Sequence, residues 1–296
     1  MDDCFARCAR LLMQADGLLV TAGAGLGVDS GLPDFRGSQG LWGAYPALGA
    51  ARMDFHDIAS PQAFRDDPRL AWGFYGHRLG LYRDTVPGPA FGLLQRIAQR
   101  LPKGAFVFTS NVDGQFQKAG FDPGRIAECH GSIHHLQCLD VCTDAIWPAD
   151  DFVPQVAEAA CRLLNALPTC PHCGGLARPN ILMFGDGEWL SRRSAAQQSR
   201  YPQWRRGVDR LLVIEIGAGT AIPSVRFFGE SQGAPLIRIN LREAATASDN
   251  VSLPMTSREA LHGIAAALSE EGWLTDARDA ERAVDGTSTR RVRRRQ

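Results

Sequence analysis

Four cysteines fall into two close pairs, Cys138-x3-Cys142 and Cys170-x2-Cys173, with 27 residues between them. Each pair sits on a tight knuckle and can supply half of a tetrahedral thiolate shell. Four thiolates leave no open coordination position, so the expected ion is a structural zinc, one per chain. His172, between two of the ligands, is expected to be an exposed knuckle residue. A second group is the loop Gly23-Ala24-Gly25-Leu26-Gly27, which follows the apolar run 17–22. Glycines let backbone N–H groups approach a pyrophosphate and tolerate positive φ. The strict G-x-G-x-x-G spacing fails at Val28, and no acidic residue ends a second strand about 20 residues on. Taken alone, the loop reads equally as a nucleotide site or as a tight structural turn. The third group is His130 in Glu128-Cys129-His130-Gly131-Ser132, directly after an apolar run. An imidazole at a strand's carboxyl end is placed to act as a base near neutral pH, or to serve as a structural histidine. His134 and His135 have no supporting pattern and are expected in a loop or an interface.

These groups need elements to hold them. Strand-like runs cover residues 17–22, 105–110, 125–129, 211–216 and 236–240. They end at the glycine loop, at Asn111 to Asp113, at His130-Gly131, at Gly217-Ala218-Gly219 and at Asn240. Ligands bind outside the carboxyl ends of strands in doubly wound folds, so the expected class is α/β, a Rossmann-like parallel sheet domain with an inserted smaller domain. Segments 1–40, 88–133 and 179–275 are assigned to the sheet domain, 41–87 to a helical module and 134–178 to a zinc-binding module. Cys4, Cys8, Leu11 and Leu12 mark one face of an N-terminal helix, with both cysteines expected in the core, as is Cys161. Thr256-Ser257-Arg258-Glu259 is a capping box before a helix carrying Leu261, Ile264, Ala265 and Leu268. Residues 276–296, ending in Arg290-Arg291-Val292-Arg293-Arg294-Arg295, are expected to form a disordered basic tail.

The 296 residues carry 32 basic and 32 acidic side chains, so no global field favours nucleic acid or an anionic membrane. Only Lys103 and Lys118 are lysines. The acidic start Met1-Asp2-Asp3 lacks a signal-peptide core and no run of about 18 apolar residues occurs, so a cytoplasmic protein is expected. In that compartment eight cysteines point to metal or catalysis rather than to disulfides.

The ordered set resembles the sirtuins, the Sir2 family of NAD-dependent protein lysine deacylases, in a bacterial-type form. The matching pieces are Gly23-Ala24-Gly25, Ser30-Gly31-Leu32-Pro33-Asp34-Phe35-Arg36-Gly37, Asn111-Val112-Asp113, His130-Gly131, the cysteine quartet and Phe184-Gly185-Asp186. The resemblance implies that Ala22, Gly23, Ala24, Gly25, Asp34, Phe35, Arg36 and Ser110 bind NAD, with Asn111 and Asp113 at its nicotinamide end. Gly217, Gly219 and Asn240 would contact the adenosine half. Met183, Phe184 and Gly185 would pair their backbone with an acyl-lysine peptide as an added strand. The acyl oxygen would attack the nicotinamide ribose, with Asn111 in the catalytic set and His130 as the general base. The products would be free lysine, nicotinamide and O-acyl-ADP-ribose. Tyr75 and Arg78 have the Tyr-x-x-Arg spacing of the desuccinylase and demalonylase branch, which implies a grip on an acidic acyl group. Ser110 stands where the family has Gln, Gly27 where it has Ser or Thr, and Gly219 where it has Ser. These departures keep open the alternative of ADP-ribosyl transfer or NAD hydrolysis on the same scaffold.

Overall fold

The structure is a computed structural model that describes residues 2–33 and 37–274. Asp34, Phe35 and Arg36 of the expected cofactor loop lie outside the described residues, as does the expected basic tail 276–296.

Eleven strands are described: β1 Gly17–Ala22, β2 Ala105–Thr109, β3 Ile126–Glu128, β4 Gly131–Cys138, β5 Ile146–Pro148, β6 Val156–Ala157, β7 Arg162–Leu163, β8 Ala177–Ile181, β9 Leu211–Ile216, β10 Leu236–Ile239 and β11 Val251–Leu253. Six of them form one parallel sheet in the order β11-β10-β9-β1-β2-β3. All six residues of β1 and of β9 are buried, as expected of parallel strands covered on both faces. Alternate β1 residues feed different cores: Leu18, Val20 and Ala22 join one apolar cluster and Leu19 joins another. The first cluster is closed by the helices Asp2–Gln14, Pro89–Arg100 and Ser257–Glu270, the last of which starts at the expected capping box of Thr256 and Glu259. The chain leaves β1 toward β2 and β3, then returns to the other side of β1 for β9. The two halves of the sheet therefore diverge between β1 and β9, which is where such folds open a ligand crevice.

A second assembly carries its own apolar cluster, including Trp72, Phe74 and Tyr75 of the helix Pro68–Asp84 together with Ile133, Leu136 and Ile181. Its antiparallel sheet has the order β5-β4-β8. The Trp72 indole N–H donates to the Ala177 carbonyl at 2.9 Å and ties helix to sheet.

Two expectations need correction, and one strand was not anticipated. Cys4 is exposed while Cys8 is fully buried. The inward face of the N-terminal helix runs through Phe5, whose ring lies against Gly263, and Cys4 falls beyond the reach of that packing. His134 and His135 are not loop residues. They lie within β4, where the register against β8 shifts between Ser132 and Leu136. Finally, β11 gave no apolar run, because it has only three residues and its central Ser252 is exposed at the sheet edge. No described helix is long and apolar enough to cross a membrane.

Candidate active site

The carboxyl ends of β1 and β9 meet glycine to glycine. The Gly25 N–H donates to the Gly217 carbonyl at 3.1 Å and the Gly23 N–H to the Ile216 carbonyl at 2.9 Å. A Cβ on Gly25 would lie 2.7 Å from the Gly217 Cα, and one on Gly217, whose φ is +62°, would lie 2.5 Å from the Leu26 nitrogen. Side chains are thus excluded at Gly25 and Gly217 by mutual contact, which brings the two loop backbones together at the crevice mouth.

Neighbouring strands brace this junction. The Thr109 hydroxyl donates to the Ala22 carbonyl at 2.9 Å and accepts the Asn111 N–H at 3.0 Å. The Asn111 amide donates to the Gly23 carbonyl at 3.1 Å, and the Ser110 N–H donates to the Ala22 carbonyl at 3.2 Å. On the other side, the Ala218 carbonyl accepts from the Asn240 amide at 2.8 Å and from Arg226 Nη2 at 2.9 Å. The Asn240 side-chain oxygen accepts two further backbone N–H groups, those of Arg242 and Glu243. Asn240 is therefore a bracket for the Gly217–Gly219 turn, with both ends of its amide engaged by backbone. Thr109 and Arg226 are site residues that the sequence did not disclose, since their partners lie tens of residues or one loop away.

Asp113 is buried, and its side chain accepts the Gln115 N–H at 2.9 Å. Burial, with the charge of Glu128 adding to it, pushes its carboxyl up to about 6 despite the Gln115 N–H and the Arg78 charge. Gly27 is close by, and a Cβ there would lie 3.8 Å from an Asp113 carboxylate oxygen. Val112 accepts the Ile133 N–H at 3.0 Å, so the start of β4 is tied to the Asn111–Asp113 segment.

His130 lies between β3 and β4. Gly131 follows at φ +81°, and a Cβ on it would overlap the Asn180 carbonyl at 2.0 Å, so this turn accepts only glycine. Burial lowers the His130 pKa below the usual imidazole value and leaves a neutral ring at neutral pH. Its carbonyl accepts the Leu182 N–H at 3.0 Å, which places it against the segment Met183–Gly185. That segment is pinned by a fully buried pair: both Arg178 Nη atoms reach the Asp186 carboxylate at 2.8 Å, and Asp186 also accepts the Met183 and Glu188 N–H groups. One backbone donor of the segment is already in use, because the Phe184 N–H donates to Ala59. The Phe184 ring stacks on His56 at 3.5 Å between centroids.

Tyr75 and Arg78 are both buried in the helix Pro68–Asp84. The Arg78 guanidinium lies 5.1 to 5.5 Å from the ring centroids of Phe74, Tyr75 and Tyr82 and donates to the Tyr82 hydroxyl at 2.9 Å.

The four cysteine Sγ atoms all lie within 4.8 Å of one another, with Cys142–Cys170 at 3.6 Å and Cys138–Cys173 at 3.8 Å. A tetrahedron of ~2.3 Å Zn–S bonds has edges of ~3.8 Å, so the set fits zinc in a closed, structural site. The N–H groups of His172 and Gly175 point at the Cys170 and Cys173 sulfurs, as thiolate ligands require. His172 is exposed and outside the cluster.

A Rossmann-ordered sheet with paired glycine loops at its switch point, a strand-end histidine and a four-cysteine module defines a class of dinucleotide-dependent fold. Residues 23–222 match the Sir2 family, and the chain belongs to that family. It is 30% identical over 232 residues to the NAD-dependent protein deacylase of Aeropyrum pernix, covering 78% of this chain and 84% of that one. It is 31% identical over 243 residues to the protein of the same name from Pyrococcus furiosus, covering 80% and 86%. The crystal structure of a Sir2 homologue–NAD complex superposes with a TM-score of 0.67 at 22% identity, covering 90% of this chain and 94% of the other.

Proposed function

We propose that this chain is an NAD-dependent protein lysine deacylase that transfers the acyl group to ADP-ribose. The observation that carries the reading is the position of His130. Its carbonyl is tied to the peptide-edge segment, the strand that follows it is tied to the Asn111–Asp113 segment, and its imidazole is held neutral by burial. When bound, NAD would supply the acyl-accepting ribose, with nicotinamide as the leaving group and one water molecule providing the oxygen that replaces the lysine nitrogen on the acyl carbon. His130 would take the proton from the ribose hydroxyl that receives the acyl group. The backbone of Ala22 to Gly25 and of Gly217 to Gly219 lines the cofactor, with the N–H groups of Ala24, Ala218 and Gly219 as its donors, and Asn111 and Asp113 hold its nicotinamide end. By family resemblance Asp34, Phe35 and Arg36 would also bind the cofactor. Segments 1–40, 88–133 and 179–275 form the cofactor domain in this reading, with 41–87 and 134–178 as the small domain whose zinc is structural.

Arg78 supports a preference for acidic acyl groups such as succinyl and malonyl. A guanidinium buried among three aromatic rings, close enough to Asp113 to lower its pKa, offers a desolvated positive charge to an acyl carboxylate. The test of the main reading is whether NAD cleavage depends on an acyl-lysine peptide. Formation of O-acyl-ADP-ribose supports it, and peptide-independent release of free ADP-ribose assigns the hydrolase alternative that Ser110 raises.

A further inference from the structure

A cavity of about 370 Å³ lies between the C-terminal end of the helix Pro68–Asp84, the Asp113–Lys118 turn and β4. Neither the glycine loops, Asn111 nor His130 line it. Its walls carry Arg83, Lys118 and Arg193 together with His134 and His135, and Asp113 is the one acidic residue on them.

Two of these cations, Arg83 and Lys118, are held by backbone carbonyls. The Arg83 guanidinium donates to the carbonyls of Phe152 and Ala149, both at 2.7 Å. The Lys118 ammonium donates to the carbonyls of Arg83 and Thr85 at 2.5 and 2.6 Å. Among the described residues neither cation has a carboxylate in contact, so the hydrogen bonds fix their positions and leave their charges uncompensated. Arg193 pairs with Glu128 through Nη2 at 2.6 Å, while its Nη1 is buried with no partner. The His135 Nδ1 is also buried and unpartnered, and the His134 Nε2 is engaged by the Asp113 carbonyl at 2.9 Å. The register shift in β4 puts both consecutive imidazoles on this wall, which an ordinary strand would turn to opposite faces. Buried donors without partners beside fixed, unneutralised cations are the signature of a missing acceptor.

We propose that this cavity binds a small multivalent anion, a phosphoryl group or a dicarboxylate, beside the cofactor crevice. The anion's oxygens accept from Arg193 Nη1 and face the positive charges of Arg83 and Lys118. Through Asp113 and the His134 bond to its carbonyl, the occupant touches the segment assigned to the nicotinamide end.

The experiment is calorimetric titration of the full-length, zinc-containing protein, saturated with ADP-ribose to fill the cofactor crevice, with inorganic phosphate and separately with succinate. ADP-ribose binding tests the deacylase reading and the anion titration tests this one, so the two fail separately. The expected result is saturable binding of at least one anion with a dissociation constant below about 1 mM. Phosphate alone assigns a phosphoryl ligand, and succinate alone a dicarboxylate. Lys118→Gln keeps donors for the two carbonyls but removes the charge, and Gln117→Glu adds a negative charge to the lining without disturbing Lys118. Each should weaken binding about tenfold, and Lys118→Arg should restore it. Absence of saturable binding by both anions, or binding unchanged in both charge variants, overturns the proposal.

Discussion

The Asn111 side-chain amide donates to the carbonyl oxygen of Gly23 at 3.1 Å, and so joins the end of β2 to the glycine loop at the end of β1. Asn111→Ala removes that donor and leaves a buried carbonyl without it, at a cost of about 1 kcal/mol in stability. Both loops then lose a shared anchor at the cofactor crevice. Steady-state kinetics should show the KM for NAD raised about tenfold with kcat also reduced. Unchanged constants would mean that the bond is structural decoration.

Asp113 gives a pH signature. Its carboxyl rises from the ordinary 3.8 to about 6 in the folded chain, so the folded state holds its proton to higher pH than the unfolded state. Stability associated with the neutral form is complete below about pH 4 and is lost as pH rises through about 6. Asp113→Asn removes the buried charge, so its stabilising effect should grow across that window and level off above it, at about 3 kcal/mol at most. Thermal unfolding at pH values on both sides of the window checks this. A gain greatest at the acid end would contradict the assignment.

Arg78→Met keeps the length of the side chain within its aromatic surroundings while deleting the charge. Activity on succinyl-lysine peptide should fall about 100-fold more than activity on acetyl-lysine peptide, the scale on which a buried charged contact discriminates. Equal losses on the two peptides would reduce Arg78 to a packing role.

Zinc analysis should return one ion per chain, and chelation or the pair Cys170→Ser and Cys173→Ser should unfold the β4–β8 module, because such sites contribute folding energy directly. Full metal content in the double variant would refute the closed four-sulfur site.

Five of the six parallel strands were legible because burial on both faces writes them as largely apolar runs, and each of the five led into residues the sequence had singled out. The cysteine quartet was legible because knuckle spacing is local. The family resemblance added the order of the motifs. What stayed hidden depends on distant partners. Arg226 matters because it holds the Ala218 carbonyl, and Arg178 because it pairs with Asp186 beside the Met183–Gly185 segment. His134 and His135 gave no signal because their placement comes from a register shift between β4 and β8, a property of the pairing and not of either strand alone. Cys4 misled because helical periodicity marks a face without saying how far the neighbouring helix covers it.

The most direct test of the central claim is mass spectrometry of the products formed from NAD and acetyl- or succinyl-lysine peptides, with the wild-type chain and with His130→Ala. The account predicts nicotinamide, deacylated peptide and O-acyl-ADP-ribose in equal amounts from the wild type, all lost in the variant. NAD cleaved to free ADP-ribose with every peptide left acylated would contradict it.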